Sequence, residues 1–166
     1  MSRSAEYKFL QQQGFPVSDE PSSKRLFSSL LFQPAIVGLS LLVAIIFQIP
    51  PLFIVLGLLL WFNALVPRAN PFERYYDFVF GRRKFYPPLP PAPAPRRFMQ
   101  GMAGTLMLLA GISLLKNWLL ISYITQAFIA VAFSLLLFGK FCVGAYIYHY
   151  LTGNKSFADT TCPWSK

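Results

Sequence analysis

Four apolar stretches dominate the chain, separated by short polar breaks and one longer polar segment. They cover residues 26–47, 52–66, 98–115 and 119–151. A helix that crosses the hydrocarbon core of a membrane needs about 20 predominantly apolar residues. The pattern therefore predicts an all-α integral membrane protein with four transmembrane helices.

The breaks pair these stretches into two predicted hairpins. Residues 48–51 separate the first two stretches, and residues 116–118 separate the last two, so each pair is joined by a tight turn. The expected organisation is a polar N-terminal tail, a first hairpin, a linker, a second hairpin and a polar C-terminal tail, over residues 1–25, 26–66, 67–97, 98–151 and 152–166. We expect the N-terminal tail to be loose, with one helical turn around residues 6–12.

The sequence leaves the geometry of two stretches open. Pro34 either lies within a helix that begins near residue 26 and kinks it, or begins the helix and leaves residues 27–32 at the membrane interface. The fourth stretch, residues 119–151, would be about 50 Å long as one helix, which exceeds the membrane thickness. We expect its excess, residues 141–151, to project into the interface and to pack against another element, such as the linker.

The linker begins with the sequence NPFE, which is typical of a helix start. Asn70 can cap the helix, Pro71 suits its first position, and Glu73 stands where the acid of a capping box would. Aromatic and apolar side chains recur at helical spacing and predict a short interfacial amphipathic helix that ends at Gly81; they are Phe72, Tyr75, Tyr76, Val79 and Phe80. The prolines of residues 87–95 then favour extended polyproline II.

Composition supports a membrane location and narrows the chemistry. Hydrophobic residues make up 55% of the 166 residues and charged residues only 13%, against about 25% in soluble domains. These values exclude a disordered chain, a disulfide-rich secreted domain and an ordinary soluble enzyme. The four apolar stretches contain no Asp or Glu, so we expect no catalytic residue, metal site or proton pathway within the membrane.

The basic residues indicate an orientation. The net charge is +9, and 14 of the 15 Lys and Arg residues lie in the two tails, in the linker or at Lys140, whereas the two hairpin turns contain only Lys116. The positive-inside rule predicts that both termini and the linker are cytoplasmic. We expect no nucleic acid as a partner; the linker's basic residues would contact anionic lipid or another protein, through Arg82, Arg83, Lys84, Arg96 and Arg97.

A few residues carry candidate chemistry. His149 is the only histidine and could bind a haem, a pigment or a quinone, although it is more simply an interfacial neighbour of tyrosines. Cys142 and Cys162 could form a dithiol if the C-terminal tail folds back, although Cys142 is more simply a small buried apolar residue. The third stretch contains Gly101, Gly104 and Gly111, which we expect at helix–helix contacts.

Three segments resemble a bacterial membrane family known as domain of unknown function 4395. Residues 70–76 read NPFERYY, residues 95–103 read PRRFMQGMA and residues 141–148 read FCVGAYIY. These are similar to the family patterns N-P-F-x-R-x-Y, P-x-R-F-A-Q-G-M-A and F-C-L-G-C-x-x-Y. The resemblance implies a four-helix membrane protein without an assigned activity. The family's C-x-x-C implies thiol redox work, but Ala145 replaces its second cysteine here.

The expected function is that of a non-catalytic accessory subunit or assembly factor of a larger respiratory or photosynthetic membrane complex. The location would be a bacterial cytoplasmic or photosynthetic membrane, and any cofactors would be pigments or lipids shared with a partner. One alternative is a thiol-redox protein that uses Cys142 with Cys162. A weaker alternative is the binding of pigment, haem or quinone near His149.

Overall fold

The described part of the chain is all-helical. The computed structural model describes residues 3–15, 21–81 and 90–162, and these residues contain no strand. Their α-helices are α1 (Arg3–Gln12), α2 (Pro21–Phe47), α3 (Pro50–Leu65), α4 (Pro71–Tyr76), α5 (Ala94–Leu115), α6 (Leu119–Leu137), α7 (Val143–Leu151) and α8 (Lys155–Thr160). The expected all-α class is confirmed for this part of the chain.

Three of the described helices are long and apolar enough to cross a membrane. They are residues Arg25–Phe47 of α2, Ala94–Leu115 of α5 and Leu119–Leu137 of α6. A fourth candidate consists of α3 and the segment Pro67–Val79, which meet at an angle of 118°. By length and composition, the described residues contain three candidate membrane-spanning helices, or four if the bent pair forms one span. This is consistent with an integral membrane protein.

Helix α2 settles the alternatives at Pro34. The helix runs without interruption from Pro21 to Phe47, with Pro34 inside it. A proline inside a helix removes one backbone N–H donor and restricts the preceding turn, but a long apolar helix tolerates this. The alternative in which Pro34 begins the helix is therefore wrong.

The N-terminal tail is a packed helix over its described residues. Helix α1 places Phe9 and Leu10 in contact with the rest of the chain at 1% exposure, and Phe15, which follows it, is 4% exposed. Together with Phe27 of α2 they form an apolar cluster at one end of the bundle. Helix α1 contains the expected helical turn, but the expectation of a loose tail is wrong for residues 3–15, because Phe9, Leu10 and Phe15 are buried in this cluster.

The contact between α3 and α5 lies at the centre of the fold. A Cβ atom on Gly104 would come within 2.9 Å of the Gly57 carbonyl oxygen, and one on Gly111 within 3.0 Å of the Phe53 Cβ. Small residues let two backbones approach closely. Gly101 differs, since a Cβ there would meet only the Trp61 ring, at 4.0 Å. The structure therefore does not place Gly101 at a close helix–helix contact, as the sequence had led us to expect.

The fourth apolar stretch is two helices. Helix α6 ends at Leu137, Lys140 adopts a positive φ of 51°, and α7 begins after Cys142. Helix α7 packs against α5, where a Cβ on Gly144 would lie 3.0 Å from the Met99 Cα. The segment after the break therefore packs mainly on α5, and the expected contact with the linker is not its main one.

Helix α4 turns its acidic side toward the protein. Asn70 caps it by accepting a 3.0 Å hydrogen bond from the Phe72 backbone N–H. Glu73 is buried, and Asp77, which begins a π-helical turn over Asp77–Gly81, pairs with Arg25 of α2. The helix therefore binds the bundle through charged groups as well as through its aromatic side.

The aromatic side of α4 is divided between α2 and the exterior. Tyr75 stacks on Phe32 with ring centroids 6.2 Å apart, and Tyr76 meets the same ring at 5.5 Å. Phe72 packs against the central core, whereas Tyr75 keeps 60% of its surface exposed. Val79 is half-buried. The side chain of Phe80, the run Arg82, Arg83 and Lys84, and residues 87–89 of the proline-rich segment lie outside the described residues. The rest of that segment, residues 90–95, is described, and its last two residues already belong to α5, so the expected polyproline II does not extend to residue 95.

Candidate functional site: a buried polar cluster

A buried ion pair lies where α5 begins. The Arg96 side chain is 1% exposed, and its NH2 nitrogen lies 3.1 Å from Oε1 of Glu73 on α4. Arg96 was expected on the surface as a lipid or partner contact, and that expectation is wrong. The sequence shows an arginine at a helix start but cannot show that a carboxylate 23 positions earlier faces it.

Gln33 of α2 joins the elements around this ion pair. Its Oε1 atom accepts hydrogen bonds from Asn70 Nδ2 at 3.0 Å, from Gln100 Nε2 at 3.1 Å and from Arg96 NH2 at 3.4 Å. One oxygen thus connects α2, the cap of α4 and α5. We call this group the polar cluster; its members are Gln13, Gln33, Asn70, Glu73, Arg96 and Gln100.

The N-terminal segment completes the polar cluster. Gln13, directly after α1, accepts a 2.9 Å hydrogen bond from Arg96 NH1 and is itself fully buried. Sequence reasoning missed Gln13, Gln33 and Gln100 as site residues. The available signal was weak: Gln33 and Gln100 are lone polar residues in otherwise apolar runs, where buried polar groups need partners.

The hydrogen bonding of the polar cluster is incomplete. Arg96 Nε, Gln100 Oε1 and Gln13 Nε2 are buried and have no hydrogen-bond partner in the described part of the chain. A buried polar group without a partner costs about 1–3 kcal/mol. The cluster therefore carries a cost that the apolar packing of the helices offsets.

A small cavity adjoins the polar cluster. Its volume is about 50 Å³, and its lining combines Gln33, Arg96 and Gln100 with mainly apolar residues of α2, α3, α5, α6 and the start of α7. A water molecule needs about 10–15 Å³ on this scale, and a cavity of about 150 Å³ takes up benzene. The cavity has room for a few water-sized molecules and is far too small for a haem or a pigment.

Cys142 lies beside the polar cluster and serves the backbone. Its Sγ accepts a 3.4 Å hydrogen bond from the Ala145 N–H at the start of α7, and its own N–H donates to Gln12 Oε1 at 2.9 Å. The side chain is buried, and this burial raises the pKa of the Cys142 thiol from 9.0 to about 11. At neutral pH the group is a thiol and not the thiolate that nucleophilic chemistry requires.

Cys162 lies on a different element and is not bonded to Cys142. Neither Cys142 nor Cys162 forms a disulfide, and Cys162 is half-buried after the end of α8. Helix α8 does fold back on α7, where Tyr146 donates to Asp159 Oδ1 at 3.0 Å. The Cys162 carbonyl accepts from Lys8 Nζ of α1 at 3.4 Å, so the C-terminal tail is tied to the N-terminal helix.

His149 is buried and its Nε2 atom is engaged. That atom lies 2.9 Å from the Gln12 carbonyl oxygen, which can only accept, so Nε2 carries the proton and donates. The ring also meets Phe157 edge-on at 4.9 Å and Tyr148 at 5.6 Å. This bond occupies Nε2, so a metal could bind only through the other ring nitrogen, Nδ1. No group of three metal-ligating side chains occurs within the described ranges.

Of the five basic residues that were expected to contact lipid or a partner, the structure describes Arg96 and Arg97. Arg97 is exposed, and its Nε donates to the Ala64 carbonyl oxygen at 2.7 Å. Two adjacent arginines of α5 therefore have opposite environments, Arg96 inside the bundle and Arg97 on its surface.

Comparison with known proteins shows the family to which the chain belongs. A family model described as Domain of unknown function (DUF4395) matches residues 28–152. No curated protein and no solved structure matches the chain. The matched region contains Gln33, Glu73, Arg96 and Cys142 but not α1. The chain belongs to the DUF4395 family.

Proposed function

We propose that the protein is a non-catalytic accessory subunit or assembly factor of a larger membrane complex. The observation that carries this proposal is an exposed apolar surface outside the candidate spans. Where α7 meets α8, Tyr150 is 48% exposed, Leu151 70% and Phe157 38%. We call these three residues the corner patch. Exposed apolar patches mark sites of protein or membrane contact.

The chemistry of the described residues supports a binding role over catalysis. Glu73 and Arg96 neutralise each other, Asp77 pairs with Arg25, and His149 and Cys142 both bind Gln12. These groups hold helices together. The thiol-redox alternative has less support, because Cys142 is buried and its pKa is raised to about 11.

The proposal includes a specific membrane arrangement. Four spans would form two hairpins, α2 with α3 and α5 with α6, connected by the linker that contains α4. The positive-inside rule then gives cytoplasmic termini and a cytoplasmic linker, since Lys116 is the only basic residue in a hairpin turn. The host membrane would be a bacterial cytoplasmic or photosynthetic membrane, and the partner complex respiratory or photosynthetic.

Affinity purification from the native host tests this proposal. Tagged protein is extracted in a mild detergent and analysed by native gel, mass spectrometry and an absorbance scan. We expect co-migration with other membrane subunits, and the partner's identity names the complex. A monomer-sized particle without partners would overturn the proposal.

A matched pair of variants tests the role of the corner patch. Leu151→Glu places a charge on the patch, and we expect it to release the partner subunits. Asn154→Glu places the same charge on an exposed polar residue between α7 and α8, and we expect it to leave the complex intact. Equal retention of partners by both variants would show that the corner patch is not the contact.

A further inference from the structure

A groove runs along the outer surface of the bundle between α3 and α5. Its volume is about 560 Å³, within the range of 300–1,000 Å³ that is usual for ligand sites. Its walls are mainly apolar and include Trp61, Ala64, Phe98 and Leu106, and Arg97 lies at one end. Because both helices are candidate spans or part of one, the groove faces the lipid.

The absence of a side chain at Gly101 keeps this groove open. A Cβ on Gly101 would meet only the Trp61 ring at 4.0 Å, so no helix packing requires glycine here. The neighbouring wall is fixed, since Trp61 Nε1 donates to Thr105 Oγ1 at 3.2 Å and that hydroxyl donates to the Gly101 carbonyl at 2.9 Å. The groove is therefore a built feature of α3 and α5.

Arg97 supplies a positively charged group at the end of the groove. Its Nε donates to the carbonyl of Ala64, which lies in the last turn of α3 where carbonyls lack helical partners. This bond holds the guanidinium, and its two terminal nitrogens have no hydrogen-bond partner among the described residues. No carboxylate pairs with Arg97 in the described part of the chain. A guanidinium held in this way presents two parallel N–H donors, which suit a phosphate.

The length of the groove matches one leaflet of a membrane. Its lining on α5 extends from Ala94 to Leu106, which is about 18 Å along a helix that rises 1.5 Å per residue. Half of a hydrocarbon core that is about 30 Å thick is about 15 Å. A lipid with its phosphate at Arg97 would thus place an acyl chain along the groove past Gly101.

We propose that this groove binds an anionic phospholipid, with the phosphate on Arg97 and one acyl chain over Gly101 against Trp61. Charge complementarity selects the headgroup, and the apolar walls accommodate the chain. Basic groups between transmembrane helices bind anionic headgroups in this manner. The site is independent of the corner patch and of the proposed accessory role.

Quenching of Trp61 by lipids with brominated chains tests the proposal. The variant Trp118→Phe/Trp164→Phe leaves Trp61 as the single tryptophan of the full chain. It is reconstituted in phosphatidylcholine vesicles that contain increasing fractions of brominated phosphatidylglycerol or brominated phosphatidylcholine. We expect phosphatidylglycerol to bind about fivefold more strongly. Equal binding of the two lipids would overturn the proposal.

Three further variants, made in the same background, separate the parts of the site. We expect Arg97→Gln to bring the ratio of phosphatidylglycerol binding to phosphatidylcholine binding, which we call the preference, to about one. Lys116→Gln removes a charge at the other end of α5, and we expect it to leave this preference unchanged. We expect Gly101→Leu to reduce quenching by both lipids, because its side chain fills the groove. A preference that survives Arg97→Gln, or quenching that survives Gly101→Leu, would contradict the proposal.

If Arg97→Gln fails to fold, raising the salt concentration should abolish the preference of the parent protein, because salt screens the attraction between Arg97 and the phosphate. A preference that persists at high salt would overturn the proposal.

Discussion

The Arg96 guanidinium lies 3.1 Å from the Glu73 carboxylate, and the two side chains are 1% and 10% exposed. The pair connects α4, which follows the first pair of long helices, to α5, which begins the second. Gln33 and Gln13 add hydrogen bonds from α2 and from the segment after α1. One buried pair thus gathers four parts of the chain at one end of the bundle.

Breaking this pair on one side should destabilise the fold. We expect Glu73→Gln to lower the free energy of unfolding by about 3–5 kcal/mol, because it leaves the Arg96 charge buried without a counter-ion. The double variant Glu73→Leu/Arg96→Met should recover most of the loss, since an apolar pair of similar volume has no charge to desolvate. Thermal unfolding in detergent measures both. A double variant no more stable than Glu73→Gln would contradict this account.

Cys142 should react slowly with alkylating reagents in the folded protein. Only the thiolate reacts, and burial raises the pKa of the Cys142 thiol to about 11. Below that value the thiolate fraction rises about tenfold per pH unit, so we expect iodoacetamide labelling to be negligible at pH 7.5 and to increase steadily toward pH 10. The experiment uses the Cys162→Ser variant, in which Cys142 is the single thiol, and labelling is measured by mass spectrometry. Rapid labelling at pH 7.5 would contradict the burial and would revive the thiol-redox hypothesis.

Gln12 should control access to Cys142. It accepts from the Cys142 N–H with its side chain and from His149 Nε2 with its carbonyl. We expect Gln12→Ala to destabilise the protein by about 1–3 kcal/mol, because it leaves the buried Cys142 N–H without a partner. Alkylation of Cys142 should rise accordingly. The control is Gln11→Ala, whose side chain is exposed; a similar effect from both variants would show that α1 does not act through this contact.

Two glycines of α5 should respond differently to the same change. We expect Gly104→Ala to cost about 1–3 kcal/mol, since the new methyl group would lie 2.9 Å from the Gly57 carbonyl oxygen in the rigid contact between α3 and α5. Gly101→Ala has open space and gains helix propensity, so it should be neutral or stabilising. Thermal unfolding of the two variants in one detergent compares them. Equal losses would show that α5 tolerates no change at either glycine.

Local patterns predicted the helical elements well and their partners poorly. The Asn70 cap follows from four consecutive residues, because capping depends on neighbours within one turn. The break after Leu137 left little trace in an apolar stretch, since hydropathy is the same for a continuous helix and for a broken one. Arg96 and Arg97 look alike in the sequence, yet their environments depend on elements that are distant along the chain.

The sequence by itself determined that this chain is helical and apolar enough for a membrane, because hydrophobic runs, caps and breaks report on local backbone preferences and on the solvent around each segment. It also indicated the family, which the match of the family model to residues 28–152 confirms. Only the tertiary structure decided that Arg96 turns inward to Glu73, that Gln13 after α1 accepts a hydrogen bond from Arg96, and that Gly101 lines an open groove. Those outcomes depend on which helices meet, and contacts across 23 to 137 positions leave no periodic signal in the residues that make them.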